Sequence, residues 1–231
     1  LIRKHVKVEP ERWYYWADRL GALVWQDMLS GDASVEPGAG ERDRSEASAA
    51  QFELELQRMI DTHYNHPSIV MWVIFNEGWG QYDTARLTEW TQRYDPSRLV
   101  NGVSGWNDVG VGAVHDIHSY PGPDIPVADQ VRASVLGEFG GLGLPLQGHT
   151  WLDENNWGYQ AYIDPEALLQ AYTDLMANLR VLVETRGLAA AIYTQTTDVE
   201  TEVNGMMTYD REIIKMEPEQ VRAINSTLFS P

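Results

Sequence analysis

Two glutamates stand at the ends of apolar runs in this 231-residue chain, in Phe75-Asn76-Glu77-Gly78-Trp79 and Leu136-Gly137-Glu138-Phe139-Gly140. Val70–Ile74 leads into the first, and Ala133-Ser134-Val135 into the second. A pair of carboxyl groups on two strand ends is the minimum equipment for cleaving a glycosidic bond by double displacement. One must stay ionised to attack the anomeric carbon, and the other must stay protonated until it has donated to the leaving oxygen. Burial beside a second carboxylate raises the pKa of the acid, so a single site can hold both states. Asn76 adds an amide that could meet a sugar 2-hydroxyl, whose hydrogen bonds strengthen as positive charge develops on the ring. Taken alone, Glu77 reads equally as a carboxylate at a helix N-terminus, stabilised by the helix dipole. Glu138 could equally be an acid held in a glycine-rich turn, where Gly137, Gly140 and Gly141 admit close backbone approach.

The elements that must position these residues alternate along the chain. Seven strand candidates cover Leu1–His5, Ala22–Asp27, Ser68–Phe75, Leu99–Val103, His115–Tyr120, Ser134–Glu138 and Ala189–Thr194. Helical spacing is expected over Pro10–Leu20, Glu46–Tyr64, Asp83–Tyr94 and Pro218–Leu228. It is strongest in the helix capped by Asp164-Pro165 and ended by Gly187. Strands alternating with helices predict a parallel sheet. Candidate functional residues at the C-terminal strand ends favour a (β/α)8 TIM barrel in the α/β class, lacking its first strand here. Residues 1–231 are expected to form a single catalytic barrel domain cut from a longer multidomain chain. The segments Ser30–Ser45 and Gly140–Tyr162 read as long loops, the former either a lid or a mobile surface loop.

Composition narrows the function classes. A net charge of −17, with no basic stripe, argues against a nucleic-acid partner. No apolar run approaches the roughly 20 residues a bilayer requires, which argues against a membrane role. The absence of cysteine excludes disulfides and thiolate metal sites. Leu1–His5 resembles neither a start nor a signal peptide, so localisation stays open between cytoplasmic and periplasmic or secreted. No His/Asp/Glu cluster has metal-ligand spacing, His63 and His66 read as local hydrogen-bonders, and no cofactor is expected. Nine tryptophans and eleven tyrosines offer faces for stacking on sugars as well as core volume. His149, Trp151, Trp157 and Tyr159 follow Glu138 in the second long loop, where sugar stacking is expected.

The chain resembles the catalytic barrel domain of glycoside hydrolase family 2, the β-galactosidases, β-glucuronidases and β-mannosidases. The resemblance is carried by Ile2–His5, Trp13–Gly21, Leu23–Asp27 and the Asn76-Glu77 and Gly137–Gly140 segments. It implies that Glu77 is the general acid/base, Glu138 the nucleophile and Asn76 the partner of the 2-hydroxyl. It further implies that Arg3 and Tyr120 hold the nucleophile and that Asp27 contacts substrate. His118 shares a strand face with Tyr120 and is either a site residue or part of the core. Family members usually carry a tryptophan floor on the last strand, whereas this chain has Ile192-Tyr193-Thr194-Gln195. Either Trp79, Trp106, Trp151 or Trp157 supplies the floor, or the pocket differs. The acidic stretch Asp198–Asn204 reads first as a solvated loop, and otherwise as a contact for hydroxyls or a cation. The expected function is a retaining β-glycosidase acting on a carbohydrate substrate, with β-sandwich domains preceding the barrel in the parent chain. The alternative is a catalytically silent, carbohydrate-binding barrel fragment.

Overall fold

The computed structural model describes residues 1–229, in two compact units. The first comprises Leu1–Ile117 with Val127–Ser134, and the second His118–Pro126 with the chain from Val135 onwards.

In the first unit, β1 (Ile2–Lys4), β2 (Val24–Asp27), β3 (Ile69–Asn76) and β4 (Leu99–Ser104) form a parallel sheet in sequence order. Three helices cross between them: α1 (Glu11–Leu20), α2 (Glu46–His63) and α3 (Thr84–Tyr94). Pro10 sits at the N-cap of α1, one position before the expected first turn, and Gly21 ends the helix in the left-handed region at φ 66°. The Ser45 side chain caps α2 by accepting from the Ser48 N–H. Along α2, Phe52, Leu56, Met59, Ile60 and His63 turn inward at helical spacing. They meet the buried strand residues Trp72, Ile74 and Phe75 in one hydrophobic cluster. The β3 run is buried almost throughout, as expected of a strand covered on both faces.

The Ser30–Ser45 segment has no regular structure, yet it is stitched down rather than loose. Val35 N–H donates to the Gly78 carbonyl, Gly80 N–H to Ala33 and Arg42 N–H to Gln81. The buried Arg44 guanidinium bonds the Ser30 and Gly80 carbonyls and lies 4.6 Å over the Phe52 ring. This loop therefore braces the segment that follows β3.

β5 (Val114–Ser119) and β6 (Ala133–Gly140) each begin in the first unit and end in the second. The second unit adds β7 (Leu142–Gly143), β8 (Gln160–Ala161), α4 (Pro165–Arg186), β9 (Ala190–Thr194) and α5 (Pro218–Ser226). A single 3-10 turn, Thr227–Phe229, follows α5. β6 pairs in parallel with β9, and β7 with β8. The β7–β8 pair lies inside the stretch read from sequence as loop, because two-residue strands leave no periodic signal. α4 starts and stops as expected, with the Asp164 side chain accepting from the Ala167 N–H and Gly187 left-handed at its end. It packs Leu168, Tyr172, Leu175, Met176 and Leu179 inward. All seven expected principal strands are present. Among the described residues no helix is long and apolar enough to cross a membrane.

Candidate active site

In the first unit the sheet's C-terminal ends gather Arg3, Asp27 and Asn76. Arg3 donates through Nε to Asp27 Oδ1 at 3.1 Å and through Nη2 to Asp27 Oδ2 at 2.8 Å. The same Nη2 reaches Asn76 Oδ1 at 2.8 Å. The ion pair is nearly dry, its side chains 2 % and 1 % exposed. Because a guanidinium only donates, it fixes the Asn76 amide with its oxygen toward Arg3. Asn76 Nδ2 then faces His5 Nε2 at 3.1 Å. Asp27 also accepts the Val6 N–H, so its carboxylate is engaged by the protein on both oxygens.

Glu77 follows β3 directly. Its N–H donates to the Ser104 carbonyl, and its backbone is left-handed at φ 50°. A non-glycine residue held there stores strain, of order 1–3 kcal/mol, which concentrates at functional positions. Gly78 continues the turn at φ 71°, where a Cβ would lie 2.5 Å from the Val35 carbonyl oxygen. Burial raises the Glu77 carboxyl above its ordinary range, and the nearby charges of His5 and Arg3 oppose the rise. The dominant cause is desolvation, so this glutamate keeps its proton to higher pH than an exposed one. Trp79 is well exposed in the same turn, and the Trp106 indole Nε1 lies 3.3 Å from where a Gly78 Cβ would be.

In the second unit Glu138 sits on β6 where the register with β9 shifts. Leu136 pairs with Ala191, but Phe139 pairs with Tyr193, so β6 carries one extra residue between them. A bulge of this kind re-aims a side chain out of the pleat. The Tyr120 hydroxyl donates to Glu138 Oε2 at 2.5 Å, and His118 Nδ1 lies 3.5 Å from the same oxygen. His118 is thus both buried and beside Glu138, its side chain 2 % exposed. Tyr120 stands one residue beyond β5, also bonded to Thr194 Oγ1 at 3.0 Å, with its ring stacked on Tyr159 at 3.7 Å. Burial and the neighbouring Glu138 keep the Tyr120 phenol well above its ordinary pKa, hence a proton donor.

The remaining aromatic candidates fall in two places. Trp157 packs edge-on against Tyr159, whereas Trp151 packs against Tyr209 next to the His149–Asp210 hydrogen bond. The acidic stretch after β9 is not a solvated loop at its first residue. Asp198 and Lys215 form a buried ion pair, with Nζ 2.7 Å from Oδ1. His63 and His66 are local hydrogen-bonders as expected, to the Met59 carbonyl and to Asp18. Sequence reasoning overlooked His5 and Thr194. His5 lies two residues after Arg3, and Thr194 closes a parallel strand at the end where such folds place their sites.

Parallel strands alternating with helices, with carboxyl groups at the strand ends, are the arrangement that the TIM-barrel enzymes use. The chain belongs to the glycosyl hydrolases family 2, whose TIM barrel domain matches residues 8–135. It is 31 % identical over 97 residues to a β-galactosidase of Klebsiella pneumoniae, covering 42 % of this chain and 9 % of that protein. It is 34 % identical over 105 residues to a β-galactosidase of Aeromonas hydrophila subsp. hydrophila, covering 45 % of this chain and 10 % of that one. The matched stretch is thus about a tenth of these relatives' length. Among solved structures, Bacteroides uniformis β-glucuronidase 2 superposes with a TM-score of 0.65 at 18 % identity, covering 91 % of this chain and 29 % of the other. A β-galacturonidase from Eisenbergiella tayi gives 0.66 at 19 % identity, covering 100 % of this chain and 45 % of that one. These likenesses establish the TIM-barrel fold.

Proposed function

We propose that residues 1–231 serve as the catalytic barrel domain of a retaining β-glycosidase, with Glu138 as nucleophile and Glu77 as general acid/base. The observation that carries this reading is Glu77 itself, a strand-end carboxyl in a strained turn that burial holds toward its protonated form. Glu138 supplies the complement, on a bulge under a phenol that donates to it. Glu138 attacks the anomeric carbon while the Glu77 proton passes to the glycosidic oxygen, and the aglycone leaves. Glu77, now ionised, takes a proton from water, and the resulting hydroxide displaces Glu138 from the anomeric carbon. Two inversions give net retention.

Asn76 donates to the sugar 2-hydroxyl. Arg3 and His5 fix its amide, so the donor Nδ2 keeps a second hydrogen beyond the one directed at His5. Arg3 supports the ionised nucleophile, and Asp27 contacts the substrate while its carboxylate holds Arg3 in place. His118 and Tyr120 hold Glu138, while Trp79, Trp106, Trp151 and Trp157 are candidates for stacking on sugar. The relatives and structural neighbours are named for β-galactosides, β-glucuronides and β-galacturonides, which sets the panel of 4-nitrophenyl β-glycosides to test. Proton NMR of the first-formed sugar should show the β-anomer, and α-anomer would overturn double displacement. Glu138→Gln should abolish turnover with the fold intact, and substantial residual hydrolysis would overturn its assignment.

A further inference from the structure

We propose that Thr194 is a positioning residue for Glu138, acting through the hydroxyl of Tyr120. The inference rests on Glu138 being the carboxylate that performs the chemistry.

Tyr120 has one phenolic proton and two claims on its oxygen. Glu138 Oε2 lies 2.5 Å away and Thr194 Oγ1 3.0 Å away. An ionised carboxylate has no proton to give, so the phenol proton points to Glu138. The Thr194 hydroxyl must then donate into the phenol oxygen. A donor there polarises the Tyr120 O–H and strengthens its bond to Glu138, by roughly 10–30 % in a cooperative chain. Burial and Glu138 raise the Tyr120 pKa while the Thr194 bond lowers it, so Thr194 makes the phenol the better donor.

The relay is mounted on rigid parts. Thr194 is the last residue of β9 and pairs with Gly140, two residues beyond Glu138, and its carbonyl accepts the Gly141 N–H at 2.9 Å. Its β-branched side chain is stiff at χ1. Tyr159 lies parallel to the Tyr120 ring within 4°. Gly141 is required for that stack, because a Cβ would fall 2.3 Å from the Tyr159 ring and 3.1 Å from that of Tyr120. Within this unit Tyr120 and His118 are titratable groups that face Glu138, the latter with Nδ1 3.5 Å from the same Oε2. Thr194 is the one member of the relay that carries no titrating proton.

Thr194→Ala and Thr194→Ser test the idea, since both lose the methyl group and differ only in the hydroxyl. They are compared in the complete natural chain by the acidic limb of the kcat/KM profile on a 4-nitrophenyl β-glycoside. The chemical shift of the Tyr120 hydroxyl proton supplies a readout that needs no turnover. In Thr194→Ala the acidic limb should move to higher pH by about half a unit, a roughly threefold loss of kcat/KM at a given acidic pH, and the hydroxyl proton should move upfield as its bond to Glu138 weakens. The loss should fall on kcat rather than KM, and Thr194→Ser should restore the unsubstituted behaviour. Identical pH profiles and hydroxyl shifts for Ala and Ser would overturn the proposal. Glu138→Gln run alongside separates the two failures. Turnover surviving there refutes Glu138 as nucleophile, whereas an inactive Glu138→Gln with indistinguishable Ala and Ser variants refutes Thr194 alone.

Discussion

Replacing Lys215 with methionine should cost far more than a surface charge would. Lys215 Nζ bonds Asp198 Oδ1 at 2.7 Å and the Val203 carbonyl at 2.9 Å, with the two side chains 0 % and 2 % exposed. Gly205 N–H also donates to Oδ1, while Oδ2 has no hydrogen-bond partner among the described residues. Burial raises the Asp198 carboxyl and lowers the Lys215 amine, so desolvation outweighs the attraction on both sides of the pair. Methionine keeps the length of the chain but strands Asp198 with a single N–H. Breaking a buried pair from one side costs about 3–5 kcal/mol. At about 2–4 °C per kcal/mol for a chain of this size, the melting temperature should fall by roughly 6–20 °C. Asp198→Leu added to Lys215→Met should recover most of the loss, since an apolar replacement of both partners is often neutral. The sign with pH is fixed as well. A carboxyl whose folded pKa is raised binds more protons folded than unfolded, so its contribution falls as pH rises from the ordinary 3.8 through the raised value. Removing Lys215 also removes the hydrogen bond and charge that hold the Asp198 carboxyl down, so it rises further, and Lys215→Met should lose more at pH 8 than at pH 5. Circular dichroism melts and urea titrations at both pH values measure it. A single-variant cost under about 1 kcal/mol, the range of exposed pairs, would refute the account.

The same linkage applies to Glu77, whose carboxyl is raised above 4.5 mainly by burial. Glu77→Gln should remove a loss of stability that sets in as pH rises from 4.5 through the raised folded pKa. The variant should melt at or above the natural chain at pH 7 and lose about 10²–10⁴ in kcat on substrates with poor leaving groups. A lower melting temperature at pH 7, or full turnover, would count against it. Gly78→Ala places a Cβ 2.5 Å from the Val35 carbonyl oxygen at φ 71°. It should cost about 1–3 kcal/mol in a urea titration and lower kcat by displacing Glu77, and a variant matching the natural chain in both would refute the strain. Arg44→Met removes the bonds to the Ser30 and Gly80 carbonyls and the charge over Phe52. Limited proteolysis should then cut faster between residues 30 and 45, and an unchanged rate would show that the loop is held by its backbone bonds alone.

Legibility from sequence followed the range of each interaction. β3 and α4 were readable because their signals are local: a buried apolar run in one, and Asp164-Pro165, a helical stripe and Gly187 in the other. Glu77 and Glu138 stood out as candidates because both close such runs. What the sequence could not show was partner choice, which depends on register between distant strands. Asp27 stood at a strand end, but its bond to Arg3, which β1 brings onto it from 24 positions away, had no local sign. Asp198 sat in an acidic stretch and suggested a solvated loop until Lys215, 17 positions on, was folded beneath it. Thr194 offered one hydroxyl at the end of an apolar strand, and its bond to Tyr120 spans 74 positions. Glu138 itself points as it does because β6 holds one residue more than β9 between two paired positions, and a bulge has no signature in a single strand's composition. The residue types were visible, but which oxygen meets which proton was decided by strand register.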